Sequence, residues 1–259
     1  MFSERTLSPP VAAIRDEHVP GAVVLDVDGD FETLPPAQAE DLGLFVDSLS
    51  PQSYPQEWLP PDAPALLERL AGSTFTVGAP GDGSVVWTHQ TDPPAILVKP
   101  RVEGSPESFV DFLVAEALVE AGLDQPEHFL GFFEEQYREL SDALPLDPNA
   151  TYQVAAALYD GWLGLHTRDV FANWLSAHPA LGETWQDAGS RLEGRIDGLS
   201  REVALGRTDF ADATELACSG LKHALELPAP FAALDTDVYR ERGAPYAVKW
   251  AEKTFESLV

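Results

Sequence analysis

The chain has 259 residues, 44% of them apolar and 23% charged, enough to bury a core and too apolar for a disordered polymer. Its 43 Asp and Glu against 16 Lys and Arg leave a formal net charge of -27. Such a surface lacks the clustered cations that bind phosphates, so neither nucleic acid nor an anionic membrane is expected as a partner.

Self-repulsion of this size opposes compaction at ordinary ionic strength. At molar salt the Debye length falls to roughly 3 Å and the penalty is largely screened. Lysine occurs only as Lys99, Lys222, Lys249 and Lys253. Composition therefore points to a protein adapted to high salt. Cys218 is the only cysteine, so no intramolecular disulfide and no cysteine-based zinc site can form, which favours a reducing interior. No basic segment followed by an apolar core opens the chain, and no run of about 18 apolar residues occurs. A soluble cytoplasmic protein is expected.

Proline punctuates residues 1–72, at Pro9-Pro10, Pro35-Pro36, Pro51, Pro55, Pro60-Pro61 and Pro64, and limits helices there to a few turns. Ala22 to Val27 reads as a short strand, Gln38 to Leu49 as a helix, and Pro64 to Ala71 as a shorter helix. Over residues 73–103 the pattern changes to period two. Thr74–Val77, Ser84–Thr88 and Ala95–Val98 alternate with turns at Pro80-Gly81-Asp82-Gly83 and Asp92-Pro93-Pro94, which predicts a three-stranded antiparallel meander.

From residue 104 onward the pattern is helical. Ser105-Pro106-Glu107-Ser108 reads as a capped start, with Ser105 at the N-cap, and Gly122 closes that helix. Further helices are predicted over Phe129–Ala143, Asn149–Ser176, Glu183–Leu205, Asp209–Leu225 and Asp237–Leu258. Strands followed by a run of helices give an α+β class, predominantly helical, in one globular domain.

Val23-Val24-Leu25-Asp26-Val27-Asp28-Gly29-Asp30 is the sharpest short signal. An apolar strand ending in D-x-D-G resembles the first motif of the haloacid-dehalogenase-like phosphatases. That resemblance implies a nucleophile at Asp26, an acid/base at Asp28 and magnesium between them. Asp30 departs from the motif, which ends there in Thr or Val, and a meander is not the parallel sheet of that family.

The order of a sheet followed by the helix Phe109–Glu120 resembles the zincin metallopeptidases, which place H-E-x-x-H on such a helix. The corresponding pentad here is Ala115-Glu116-Ala117-Leu118-Val119, so Glu116 stands without either histidine. The resemblance therefore implies a module with a degenerate metal site.

The six histidines, His18, His89, His128, His166, His178 and His223, never recur at i, i+3 or i+4. His128, beside Glu127, and His166, near Asp169, are the best placed to be oriented by an acid. Cys218 and Ser219 lie near His223, yet on an apolar helix and outside any nucleophile elbow, so Cys218 reads as core. Tyr152, Tyr159, Trp162, His166 and Trp174 recur at helical spacing, as do Phe129, Phe132, Phe133 and Tyr137. Together they predict an aromatic spine, and the first place to look for a ligand.

Phe112–Leu118, Pro126–Phe133 and Glu215–Ala224 make the whole chain resemble an uncharacterised protein family of halophilic archaea. No catalytic residue, metal or cofactor follows from that resemblance. With no complete catalytic set in the sequence, the reading leans away from an enzyme and towards an interaction or scaffold protein, with a protein partner or self-association. Glu116, His128 and His166 remain the candidate site residues.

Overall fold

The computed structural model describes residues 1–30, 36–72 and 83–256. The predicted strand Thr74–Val77 and most of the Pro80–Gly83 turn lie outside these residues. The protein is α+β and predominantly helical. It divides into two compact units: residues 1–54, 66–128 and 174–184, and residues 55–65, 129–173 and 185–259. Among the described residues no helix is long and apolar enough to cross a membrane.

The first unit carries the strands. They are β1 (Phe2–Glu4), β2 (Val23–Val27), β3 (Ser48–Leu49), β4 (Val85–Thr88), β5 (Thr91–Asp92) and β6 (Ala95–Val98). The hairpin expected of a meander is present as the antiparallel β4–β6 pair. The sheet is wider than predicted and mixed, with order β1-β2-β6-β4: β2 lies parallel to β6, with Leu25 opposite Leu97, and β1 closes the edge antiparallel. β5 leaves this sheet and pairs with β3 instead. The prolines of the N-terminal part do not separate it from the sheet, because they lie between the strands.

Three helices belong to this part: α1 (Pro9–His18), α2 (Pro36–Leu42) and α3 (Ala65–Ala71). Sequence reading missed α1, because Pro9-Pro10 looked like a breaker. The two prolines occupy the first helical turn, where a missing N–H costs nothing and the fixed φ suits a helix. The predicted helix Gln38–Leu49 stops at Leu42, and its last two residues form β3. Side chains alternate across the sheet. Leu25, Val27, Val86, Ala95 and Leu97 form a core with Phe2, Leu42 and Val46 on one face. Val24, Ile96 and Val98 lie on the other, towards α4 (Glu107–Ala121), which packs on α1, β4 and β6. Pro106, not Ser105, stands at the N-cap of α4, and Gly122 ends the helix as expected. A Cβ at Gly122 would lie 2.6 Å from the His18 carbonyl oxygen, so only glycine lets α4 end there against α1.

The second unit is helical. α5 (Phe129–Phe133) and α6 (Gln136–Ala143) share one predicted segment, broken where Glu134 takes φ 50°. α7 (Pro148–Ala177) runs unbroken through both units, and α8 (Pro179–Ile196) likewise begins in the first. α9 (Leu199–Ala204) follows α8 after Gly198, and α10 (Phe210–Lys222) starts at Asp209, whose carboxylate accepts from the Asp212 N–H at 2.8 Å. α11 (Asp237–Arg242) and α12 (Ala244–Glu256) divide at Gly243, at φ 57°, where a Cβ would meet the Phe132 ring at 2.9 Å. Three predicted single helices are therefore pairs, each broken by a local backbone event that hydrophobic periodicity does not register.

Candidate functional site

The densest polar constellation is in the first unit, at the loop between β4 and β5. Thr88, Gln90 and Thr91 are almost fully buried there, and buried polar groups are costly unless hydrogen-bonded. The Thr91 hydroxyl donates to the Pro93 carbonyl at 2.8 Å; the partner of Thr88 and Gln90 is Glu127. Its two carboxylate oxygens accept from the Thr88 hydroxyl at 3.1 and 3.0 Å, from the His89 backbone N–H at 2.7 Å, and from the Gln90 amide. The Gln90 side-chain oxygen in turn accepts from the Gln52 N–H at 2.8 Å, and the Tyr54 hydroxyl donates to Gln52 at 3.0 Å. One carboxylate thus ties residues 88–90 to residue 127 and, through Gln90, to residues 52–54.

Burial raises the Glu127 carboxyl above its ordinary range, against the lowering effect of those donors. Burial also raises the Tyr54 phenol, with the Glu127 charge adding to it. Next to them His128 stacks on Tyr54, with ring centres 6.0 Å apart, and burial pushes its imidazole down to about 3. On the same side Trp87 donates to Glu120 at 3.1 Å and the His89 ring donates to the Ala121 carbonyl at 2.8 Å. Chemically this is a pin. A general base needs a lone pair within reach of a substrate proton, whereas both Glu127 oxygens face donors of the fold.

The structure does place Asp26 near the carboxyl end of a strand with a parallel neighbour, as the phosphatase resemblance requires. The Asp26 carboxylate, however, accepts from Arg5 at 2.6 Å, and Asp28 forms an ion pair with the chain's amino terminus at 3.7 Å. Asp30, absent from the motif, meets Lys99 and Arg101. Glu116 is half-buried on α4. Among the described residues no group of three or more His, Cys, Asp and Glu could hold a metal ion.

His166 belongs to the second unit, in the predicted aromatic spine. Its ring stands edge-on to Trp162 at 4.7 Å; Trp162 packs on Phe132 at 4.7 Å, and Phe132 on Tyr159 at 5.5 Å. Trp162 donates to the Arg240 carbonyl at 3.1 Å. Burial first, and then the Arg240 charge, lower the His166 pKa. Its Nε2 is buried with no hydrogen-bond partner among the described residues. His128 and His166 thus belong to different units and serve as neutral rings in aromatic packing.

Cys218 is buried in the core as expected. A Cβ at Gly161 would come within 2.9 Å of its sulfur, and burial raises its thiol pKa, with Asp160 and Glu215 adding to it. Ser219 donates to the Glu215 carbonyl at 2.9 Å, one turn earlier on the same helix.

Sequence reasoning missed the central part of Glu127, which it treated as an accessory to His128. Three consecutive hydrogen-bonding side chains, Thr88-His89-Gln90, closing a strand were the available signal. It also passed over Lys99, a lysine directly after the wholly apolar Ala95–Val98.

No curated protein and no solved structure matches the chain. A family profile spans residues 1–258, and the chain belongs to that family, DUF7089, a family of unknown function.

Proposed function

We propose that the protein is a non-catalytic interaction protein of a high-salt cytoplasm. One observation carries this reading: the acids and imidazoles that could do chemistry are turned to internal use. Glu127 fastens the β4–β5 loop, Asp26 holds Arg5, and His128 and His166 pack as neutral rings. A second feature agrees with it. Leu44 is 82% exposed on a turn whose flanking Leu42 and Val46 are core, and the Asp47 N–H bonds the Asp92 carbonyl at 2.6 Å. We take this leucine, held out on a firm turn, as the contact point for a partner. The charge of -27 supports the high-salt setting. The polypeptide passes repeatedly between the two units, so we read the chain as one folding domain, with one melting transition expected.

The test is light scattering coupled to size exclusion in molar potassium chloride, on chain purified from its native cells. A discrete complex or dimer that Leu44→Asp dissolves, with unchanged melting, supports the reading. Turnover of any substrate that Glu127→Gln or His166→Gln abolishes without loss of fold overturns it.

A further inference from the structure

Charge is unevenly spread along the chain. No Lys or Arg stands between Arg15 and Arg69, whereas residues 191–207 hold Arg191, Arg195, Arg201 and Arg207 against Glu193, Asp197 and Glu202. Each stretch presents a leucine to solvent. Leu44, 82% exposed, belongs to the first unit and is flanked by the exposed Glu40 and Asp47. Leu205, 54% exposed, belongs to the second unit and stands one helical turn after Arg201. Arg201 is exposed and makes no ion pair among the described residues.

Both leucines sit on fixed backbone. The Leu44 N–H bonds the Asp41 carbonyl at 3.2 Å and the Phe45 N–H bonds Leu42 at 2.9 Å, and β3 beyond the turn pairs with β5. Leu205 ends α9, its N–H on the Arg201 carbonyl at 3.0 Å. Gly206, at φ 63°, then turns the chain so that its own N–H reaches Val203 and the Arg207 N–H reaches Glu202, both at 2.9 Å. Arg207 also meets the Glu202 carboxylate at 3.3 Å while its side chain stays 62% exposed. An apolar side chain held out by a rigid turn loses little conformational freedom when a partner covers it.

We infer that a second copy of this chain covers Leu44, docking head to tail through its Arg201, Leu205 and Arg207. Charge complementarity selects this occupant. Two copies of net charge -27 repel, and a contact of Leu44 with Leu44 would set Glu40, Asp41 and Asp47 against themselves. Like charges facing across an interface cost affinity, and opposite charges fix partner and register. Setting the arginine turn of one copy on the acidic turn of the next surrounds two leucines with opposite charges. Molar salt screens the long-range repulsion, so short-range pairs and apolar burial decide the contact. The inference rests on the reading of Leu44 as a contact point and names what it contacts.

The test is light scattering coupled to size exclusion on the full chain, produced and purified alone, in molar potassium chloride at a series of loading concentrations. The wild type should gain mass as its concentration rises through about 10–100 μM, the range of a small interface. Leu44→Asp and Arg201→Glu should each weaken self-association by about tenfold or more. Both alter exposed side chains, their melting curves check the fold, and Leu205→Asp is the second variant of the arginine turn. Mixed in equal amounts, Leu44→Asp and Arg201→Glu should form a one-to-one dimer, because each supplies the surface that the other lacks. A contact between two like surfaces would give no such dimer. A wild type that stays monomeric, self-association unchanged in both arginine-turn variants, or a mixture that stays monomeric overturns the proposal. The wider reading is judged separately: chain from native cells with a different protein held through Leu44 keeps that reading and overturns self-docking, whereas self-association untouched by Leu44→Asp removes Leu44 from both.

Discussion

The two units satisfy their buried polar groups in different ways. In the first, side-chain carboxylates do most of it: Glu127 for Thr88, His89 and Gln90, Glu120 for Trp87, and Asp26 for Arg5, with carbonyls taking only the Thr91 hydroxyl and the His89 ring. In the second the buried indoles and the Tyr239 phenol donate to main-chain carbonyls, and one half-buried carboxylate, Asp235, accepts from Arg168 at 2.7 Å. Trp162 donates to Arg240, Trp185 to Lys222, Trp250 to Pro230 and Tyr239 to Leu158, at 3.1, 3.2, 3.0 and 2.7 Å. A carbonyl cannot titrate and a carboxylate can. The helical unit is therefore pinned by fixed dipoles around aromatic bodies, and the sheet unit by charges whose strength depends on pH and salt.

Truncation in the aromatic core should have the largest effect. Phe133 is fully buried against Phe132 and Tyr137, and Phe133→Ala should cost about 3–5 kcal/mol, read as a lower midpoint in chemical denaturation. Next comes the helix contact that Gly164 permits. A Cβ there would lie 2.5 Å from Lys222 Cγ and 3.1 Å from its Cα, so Gly164→Val should cost about 1–3 kcal/mol by overpacking and lower the melting temperature.

In the sheet unit, Glu127→Ala strips several buried donors of their acceptor at once. It should cost about 1–3 kcal/mol and speed hydrogen exchange at His89, whose amide the carboxylate covers. If that exchange does not change, Glu127 is not the pin and the contrast between the units fails. Asp26→Asn weakens only a half-exposed ion pair with Arg5, so less than about 1 kcal/mol should be lost, and the difference should shrink further at high salt.

Acid should sharpen the comparison. His223, in the helical unit, is lowered to about 4, by burial first and then by Lys222, and His128, in the sheet unit, to about 3. Both lie below the ordinary 6.5, so the unfolded chain takes up protons first as pH falls. The stability these neutral rings contribute is complete above 6.5 and is lost as pH drops towards 4. Glu127 acts in the opposite sense, because its raised pKa favours the fold in acid and offsets part of the loss in the sheet unit. His223→Gln should therefore flatten the fall in melting temperature between pH 6.5 and 4. An unchanged slope would show that the second unit's histidines do not carry its acid sensitivity.

Element type was legible wherever a segment's own periodicity decided it. β2, β4, β6, α3, α4 and α7 lie where the pattern of apolar residues puts them, and Gly122 ends α4 as read. The breaks at Glu134 and Gly243 were not legible, because a single positive-φ residue interrupts a helix without disturbing its apolar stripe. Around the candidate His128 the pattern showed an imidazole beside an acid, but not that Glu127 gathers the hydrogen bonds of residues 88–90 while His128 stacks on Tyr54, since those partners are distant in the chain.

Composition by itself determined an acidic protein with a true core, a single cysteine and an α+β succession of strands and helices, since each follows from residue counts and local pattern. Tertiary structure alone decided that β2 lies parallel to β6, that β5 leaves the sheet for β3, and that Glu127 serves the loop 88–90. It also decided that Lys99 and Arg101 converge on Asp30. These pairings join residues far apart in the chain, and their energy comes from burial and charge at the place where they meet, which no local window of sequence contains.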